Sequence, residues 1–237
     1  MRIRALVPVA LAALLVAGCT TPKPSTSTSA TPALTDNGVS ALSAGDILAK
    51  AKAALASASS VHVRGTADVA DKKAKLDLTF KGKSDVAGTI QFDGQKVEII
   101  RIGTDVYLKA DASFWKSVAG DQVAPLLQGK YVRAPNSNPT YTQYVTMLDA
   151  AYPLTPVGTL SKGTSTSVNG VNAIGIVDDD PKLGRTVYVA TQGKPYPLRI
   201  ESTTDGGALD YVDYNKSVDV KAPPASQVLD LSQFPVK

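Results

Sequence analysis

The residues with the clearest chemistry lie near the start of the chain, where Leu15-Val16-Ala17-Gly18-Cys19 forms a lipobox. Arg2 and Arg4 open the sequence, and an uncharged apolar run follows over residues 5–17. A lipoprotein signal peptide typically has a basic start, a short apolar run and small residues before a cysteine. The apolar run here is far shorter than the roughly 20 residues of a membrane-spanning helix. We therefore expect cleavage after Gly18 and a diacylglyceryl group on the sulfur of Cys19.

Lipidation of Cys19 predicts where the chain is held. One acyl chain gives only marginal membrane binding, whereas two or more anchor a protein stably. We therefore expect the chain in the cell envelope, on the outer face of the plasma membrane. Cys19 is the only cysteine, and its acylation leaves no thiol for a disulfide, redox chemistry or nucleophilic catalysis. A plain secretory signal with an incidental cysteine, or a short membrane helix, is the alternative interpretation.

Few residues elsewhere could support catalysis. His62 is the only histidine, and it lies on the predicted polar face of a strand, with no strand-to-helix nucleophile elbow to complete a Ser-His-Asp triad. The acidic run Asp178-Asp179-Asp180 lacks the alternating spacing of a calcium loop, and we interpret it as a solvated turn. The glycines occupy predicted turns and form no phosphate-binding loop. We expect no enzyme activity, no metal and no cofactor; hydrolysis by a pair of Asp side chains is the enzymatic alternative.

The charge balance argues against nucleic acid as a partner. The 237 residues include 25 basic and 21 acidic side chains, a formal charge of +4, and removal of Arg2 and Arg4 lowers it to +2. The lysines are scattered along predicted strands, whereas a nucleic-acid binder has a basic patch or stripe. Hydrophobic residues make up 43% of the chain and aromatic ones only 6%. Small aliphatic side chains on a curved sheet can enclose a cavity or pack tightly, and composition alone favours tight packing.

Residues 20–44 are rich in Thr, Ser, Pro and Ala and show no apolar periodicity. Such a segment is typical of a flexible tether, and some 25 residues would hold a domain about 25 to 30 Å from the anchor. The sequence is thus divided into a signal peptide (1–18), a lipidated cysteine with its tether (19–44) and a single domain (45–237).

The domain begins with a helix signal and continues with strands. Ser43 is the predicted N-cap of a helix whose apolar positions are Ile47, Leu48, Ala51, Leu55 and Ala58. A two-residue alternation of apolar and polar side chains then predicts antiparallel strands that are buried on one face. These strands cover 61–69, 75–81, 86–92, 96–102, 106–110, 163–168, 171–177, 185–190, 198–203 and 208–215, with turns at Asp93-Gly94, Gly103-Thr104-Asp105, Asn169-Gly170 and Asp205-Gly206-Gly207.

The alternation stops between Ser113 and Thr159, where we predict helices and loops. A helix over 139–152 would place five apolar side chains on one side: Tyr141, Tyr144, Val145, Leu148 and Tyr152. One-sided strands must bury their apolar face, and the helices are the elements available to cover it. The sequence therefore predicts an α+β domain in which two stretches of antiparallel sheet flank a helical segment.

Several motifs, taken in order, resemble a family of lipoproteins. They are the tethered lipobox, the helix and strand DILAKAKAALASASSVHVRGTADV, the hairpin with Gly103-Thr104-Asp105-Val106-Tyr107, the step Phe114-Trp115-Lys116, the Asn169-Gly170 turn and the terminal Pro223-Pro224. This order is similar to that of the LppX/LprA/LprF/LprG lipoproteins of actinobacteria. The resemblance implies a curved antiparallel half-barrel, also similar to LolA and LolB, with helices that cover its concave face around an apolar cavity. Residues 123–160 depart from the pattern, so the resemblance does not define ligand size or gating.

The resemblance implies that the protein binds acylated lipids or glycolipids and carries or presents them in the cell envelope. It also implies a transport partner, which the sequence does not name. The side chains that we expect to line the cavity are Leu76, Leu78, Phe80, Ile90, Phe92, Val106, Leu108, Tyr144, Leu148, Val187, Val189, Leu198 and Ile200. The alternative is an interaction or regulatory lipoprotein with the same sheet and a filled core. A continuous apolar hollow distinguishes the two.

Overall fold

The computed structural model describes residues 35–69, 72–135 and 148–230, which belong to one compact unit, Leu34–Lys237. These residues form three helices: α1 (Ala44–Ala56), α2 (Ala112–Ala119) and α3 (Ala124–Leu127). Twelve strands accompany them: β1 (Ser60–Val69), β2 (Lys72–Lys81), β3 (Asp85–Phe92), β4 (Gln95–Ile102), β5 (Asp105–Ala110), β6 (Tyr131–Pro135), β7 (Leu160–Val168), β8 (Val171–Asp178), β9 (Arg185–Ala190), β10 (Pro197–Ser202), β11 (Ala208–Val212) and β12 (Val228–Asp230).

The strands form one sheet in the order β12-β6-β5-β4-β3-β2-β1-β11-β10-β9-β8-β7. Strands β1 to β6 make one meander and β7 to β11 a second, and the pairing of β1 with β11 joins them. Neighbours are antiparallel except for β12, which pairs parallel with β6. The sheet is curved and unclosed, with β12 and β7 at its two edges. The predicted antiparallel α+β architecture is therefore confirmed at this level.

The tight turns form where the sequence predicts them. Asp93 and Gly94 have φ of 51° and 78°, and Asn169 and Gly170 have φ of 51° and 80°. Positive φ at both central residues is the signature of the turn whose twist matches that of two antiparallel strands. Asn, Asp and Gly adopt it at the lowest steric cost. These two pairs therefore define the β3–β4 and β7–β8 hairpins.

The alternation along each strand separates a buried face from a solvated one. On β2, Ala74, Leu76, Leu78 and Phe80 are buried while the side chains between them are exposed or half-buried. We call the face that carries these four residues the inner face. Cross-strand neighbours extend it in both directions, because Leu76 lies opposite Ile90 on β3 and Leu78 opposite Val63 on β1. Neighbouring apolar pairs of this kind stabilise the sheet.

Two helices pack on the inner face at separate places. The Oγ of Ser43 accepts the N–H of Asp46 at 3.2 Å and caps α1 as predicted, and the apolar side of α1 packs against β7 to β10. The carboxylate of Asp111 accepts the N–H of Phe114 at 2.9 Å and caps α2. This helix packs against β4 and α3 and buries Phe114 and Trp115. Strands β1, β2 and β11 lie between these two packing sites in the sheet.

Strand β6 corrects the prediction of helices and loops alone between Ser113 and Thr159, and β12 lies beyond the last predicted strand. Five residues that end in Pro135 carry too short an alternation to reveal β6 in the sequence. Its place depends on pairing with β5, reinforced by Arg133, whose guanidinium contacts Asp105 and Asp230, each at 3.1 Å. Tertiary pairing thus overrides weak local propensity here.

Two other expectations meet the structure only in part. Residues 139–147 of the helix predicted over 139–152 lie outside the described residues. Leu148 is buried, and Tyr152 is exposed in a short 3₁₀ turn. The folded part also begins before residue 45, because Asp36 bridges to Gln192 and Val39 is buried. The C-terminal end of the predicted tether is therefore part of the domain. In the described parts of the chain, we find no helix of the length and apolarity needed to span a membrane.

Candidate functional site: a pocket on the inner face

An open pocket with a volume of about 360 Å³ lies on the inner face over β1, β2, β10 and β11, and we call it the main pocket. Its floor consists of apolar side chains and one tyrosine: Val63, Leu76, Leu78, Phe80, Ile200, Leu209 and Tyr211. Ligand pockets in proteins typically measure about 300 to 1,000 Å³ and have mostly apolar walls. The main pocket falls in this range.

A glycine lies in one of the cross-strand rows that cross this floor. Gly65 on β1 is the cross-strand neighbour of Leu76 on one side and Leu209 on the other. Its φ is 145°, and a Cβ there would lie 1.9 Å from the carbonyl oxygen of Ala208. Only glycine allows β1 and β11 to approach so closely. This row therefore has no side chain on β1, whereas its neighbours on β2 and β11 carry leucines.

The mouth of the main pocket is formed by three connections. They are residues 152–158, which we call the rim loop, the β8–β9 turn with Lys182 and Leu183, and the β10–β11 turn with Thr204 and Asp205. The mouth is more polar than the floor, but three of its large apolar side chains, Tyr152, Val157 and Leu183, are each more than half exposed.

A buried ion pair fixes the rim loop to the sheet. Arg185 Nε lies 3.6 Å from Asp178 Oδ2. The Asp178 carboxylate accepts the N–H groups of Val157 and Gly158 at 3.0 and 2.7 Å, and Arg185 Nη1 donates to the carbonyl oxygen of Pro153 at 2.8 Å. Burial alone would raise the pKa of Asp178, but these backbone N–H groups and the charge of Arg185 outweigh it, and the pKa is lowered.

Asp178 corrects the interpretation of the acidic run as a solvated turn. Its side chain is 3% exposed, although Asp179 is exposed as expected. The three carboxylates look equivalent in the sequence. Asp178 differs from the other two because Arg185 of the next strand and the rim loop, some 20 residues earlier in the chain, both contact it.

A second pocket of about 210 Å³ lies beyond the main pocket, towards the opposite ends of β1 and β2. Phe80, Asp149 and Ala150 line both pockets, so they form the partition between them. The hydroxyl of Tyr211 donates to the carbonyl oxygen of Ala150 at 2.9 Å and holds this partition against the floor. Burial raises the pKa of Tyr211, so the hydroxyl keeps its proton for this bond.

The structure brings four of the predicted cavity residues together in the main pocket: Leu76, Leu78, Phe80 and Ile200. Leu148 lines the second pocket. Tyr144, like Cys19, lies outside the described residues.

Most of the other predicted cavity residues are buried in the packed parts of the core, beside α1 or α2. Ile90, Phe92 and Leu108 face Phe114 of α2 across a void of about 10 Å³. Val187 borders a void of about 10 Å³ beside Leu48 of α1. Val106 and Val189 are buried in the apolar core.

Leu198 is half-buried because a β-bulge interrupts the alternation of β10. The pairing with β9 shifts between Pro197 and Arg199, which leaves Leu198 as the extra residue. A bulge changes which side chains share a face. Val63, Leu209 and Tyr211 were not among the predicted cavity residues, although the same alternation would have found them. The residues of the mouth carry no periodic signal.

His62 lies on the outer face of the sheet, the side opposite the inner face. His62 Nε2 lies 2.8 Å from Asp77 Oδ1, and its Nδ1 lies 3.8 Å from Asp213 Oδ2. Its partners are thus carboxylates and not a hydroxyl nucleophile. Across the described residues, no three His, Cys, Asp or Glu side chains cluster closely enough to hold a metal ion.

No protein-family model and no curated protein sequence matches the chain. Solved structures similar to it include LprF from Mycobacterium bovis (14% identity, TM-score 0.49, covering 76% of this chain and 96% of LprF). Lipoprotein LppX from Mycobacterium tuberculosis has 16% identity and a TM-score of 0.45, with 75% and 99% covered. An uncharacterized conserved protein from Thermus thermophilus has 13% identity and a TM-score of 0.43, with 79% and 98% covered. LprF and LppX are two of the lipoproteins that the sequence resembles.

Proposed function

We propose that this chain is a membrane-anchored lipoprotein of the cell envelope that binds an acylated lipid or glycolipid in the main pocket and carries or presents it. The observation that supports the proposal best is the apolar floor that the described residues leave open between the packing sites of α1 and α2. A sheet face of Leu, Val, Ile and Phe beside an opening favours an apolar ligand. The proposed role is binding and not catalysis.

The chemistry of the floor suits an acyl chain. Its side chains are aliphatic or aromatic, and the hydroxyl of Tyr211 is occupied by Ala150. At about 0.8 kcal/mol per buried methylene, a chain of about 16 carbons offers on the order of 10 kcal/mol before ordering costs. The polar mouth, with Lys182, Thr204 and Asp205, would leave the headgroup in contact with water. We therefore propose that the acyl chain enters first and the headgroup stays at the mouth.

The lipobox supports the proposed location. A diacylglyceryl group on Cys19 would hold the domain on the outer face of the plasma membrane, beside the lipids that it would bind. The lipid would then pass to an acceptor in the envelope.

A pair of matched substitutions tests the proposal. Leu78 and Leu108 are both buried on the inner face, but Leu78 borders the main pocket and Leu108 only the void beside α2. In the full chain with Cys19→Ser, we expect Leu78→Trp to abolish co-purification of acylated lipid, read by mass spectrometry of organic extracts, with little change in the free energy of unfolding. Leu108→Trp should cost about 1 to 3 kcal/mol through overpacking and keep the lipid.

The opposite result would favour the scaffold with a filled core. In that case no acylated lipid would co-purify with any variant, and Leu78→Trp and Leu108→Trp would lower the free energy of unfolding equally. Binding of an apolar fluorescent probe to the lipid-free protein provides a second readout that does not depend on the expression host.

A further inference from the structure

Three exposed apolar side chains surround the mouth of the main pocket. Tyr152 and Val157 come from the rim loop, and Leu183 from the β8–β9 turn. We call these three residues the apolar rim. Single exposed apolar side chains are ordinary on protein surfaces. A group of them around the opening of an apolar pocket is typical of a contact site with another apolar phase.

The apolar rim is held in place by buried interactions. Asp178 accepts the N–H of Val157, and Arg185 donates to the carbonyl oxygens of Pro153 and Thr155. Asp178 ends β8 and Arg185 begins β9, so they flank the turn that carries Leu183. The same ion pair therefore fixes both segments of the rim.

We propose that the apolar rim enters the interface of a lipid bilayer, so that an acyl chain passes between the bilayer and the main pocket without crossing water. The inference rests on the proposed function and adds to it the surface at which lipid is exchanged. Tyrosine favours the membrane interface, where its ring is apolar and its hydroxyl meets water. Valine and leucine favour the acyl region below it.

The charges at the mouth decide how the rim would bind. The lining of the opening carries Lys182, Arg185, which is paired with Asp178, and the carboxylates of Asp68, Asp149 and Asp205. This lining has no excess of positive charge, so attraction to anionic headgroups is a minor contribution. Apolar insertion, which salt does not screen, is the expected source of affinity.

The length of chain before the described residues allows this contact. The carbonyl oxygen of Thr35 accepts the N–H of Gly193 in the β9–β10 turn, at the end of β9 opposite the mouth. The six residues of β9 span about 20 Å, whereas residues 20–34 can span at most about 50 Å. The rim can therefore reach the bilayer that would hold Cys19, which favours a bilayer as its partner.

The chain offers a matched control. Val118, Val123 and Leu126 are also exposed apolar side chains, but they lie on and between α2 and α3 and do not line the main pocket. Substituting these three residues removes a similar apolar area from another surface.

Flotation with phosphatidylcholine vesicles tests the inference, using the full chain with Cys19→Ser. We expect this protein to float with the vesicles at low and high salt alike. Joint substitution of Tyr152→Ser, Val157→Ser and Leu183→Ser should lower the partition coefficient by about tenfold or more. Joint substitution of Val118→Ser, Val123→Ser and Leu126→Ser should leave it unchanged.

Four outcomes would overturn the inference: no flotation of the unsubstituted protein, equal flotation after the rim substitutions, an equal loss after the control substitutions, or binding that requires added anionic lipid and disappears in salt. Leu78→Trp separates this test from that of the proposed function. A variant that has lost lipid and probe binding yet still floats places the bilayer contact at the rim, whatever the pocket holds.

Discussion

Two parts of the inner face have the same kind of strand sequence but different covers. Over β3, β4 and β5, the side chains of α2 reach the sheet and leave a void of about 10 Å³. Over β1, β2 and β11, a pocket of about 360 Å³ stays open. Leu78 and Ile99 lie in the same cross-strand row, on either side of Gly88. Alternation therefore tells which face of a strand is apolar, but not what covers it.

The difference arises from the connections. Between β5 and β6 the chain inserts α2 and α3, and the rings of Phe114 and Trp115 fill the space over the neighbouring strands, with centroids 5.2 Å apart. Between β1 and β2 only two residues intervene. The described chain over this part is the segment from Leu148 to Leu154, which Tyr211 holds at its edge. A single sheet thus contains both a packed core and a hollow.

The largest expected effect compares two phenylalanines. Phe114 packs against Phe92 and Trp115 in the filled part, with ring centroids 6.2 and 5.2 Å away, so Phe114→Ala should cost about 3 to 5 kcal/mol of unfolding free energy. Phe80 already borders two pockets, so Phe80→Ala adds little new void and should cost about 2 kcal/mol. Urea denaturation measures both. Equal costs would mean that the two parts are packed alike.

Gly65→Ala tests the seam between the two meanders, under the open part. The added Cβ would meet the carbonyl oxygen of Ala208 at 1.9 Å, in a backbone conformation with φ of 145°. Strands β1 and β11 would have to separate, and we expect a loss of about 3 kcal/mol. Gly45→Ala is the control, because its Cβ meets open space at the start of α1. A Gly65→Ala variant as stable as the Gly45→Ala variant would show that the seam tolerates a wider spacing.

Asp178→Asn should loosen the wall of the open part and leave the filled part intact. Removal of the charge weakens the backbone hydrogen bonds from Val157, Gly158 and Asp180 and the contact with Arg185, at a cost of about 2 kcal/mol at neutral pH. Amide hydrogen exchange should accelerate at Val157 and Gly158 but not at Phe114. Asp121→Asn, at an exposed carboxylate near α2, is the neutral control.

The pH dependence of the same variant has a defined sign. The folded protein lowers the pKa of Asp178, so its stabilisation is complete above the unfolded value of about 4 and is lost as the pH falls through the folded value. The difference in unfolding free energy between the parent and Asp178→Asn should therefore shrink below about pH 4. A difference that stays constant to lower pH would show that the carboxylate charge does not hold the rim loop.

Local patterns were sufficient where the physical cause is local. The N-cap of α1 at Ser43, the hairpin turns at Asp93-Gly94 and Asn169-Gly170, and the alternation of β2 depend on residues within a few positions of one another, and each is found where the sequence predicts it. Strand β6 was missed because its five residues become a strand only through β5 and β12. The bulge at Leu198 was missed because a register shift belongs to a pair of strands, not to one.

The sequence by itself determined the lipobox prediction, the apolar face of each long strand and the turns between them, since these follow from short-range chemistry. Only the tertiary structure decided that Leu78 lines a hollow while Leu108 lies under α2, and that Asp178 is buried while Asp179 is not. Each of these outcomes depends on which distant segment arrives over a given side chain. A pocket is the space that such segments leave unfilled, and its existence depends on packing between elements far apart in the chain.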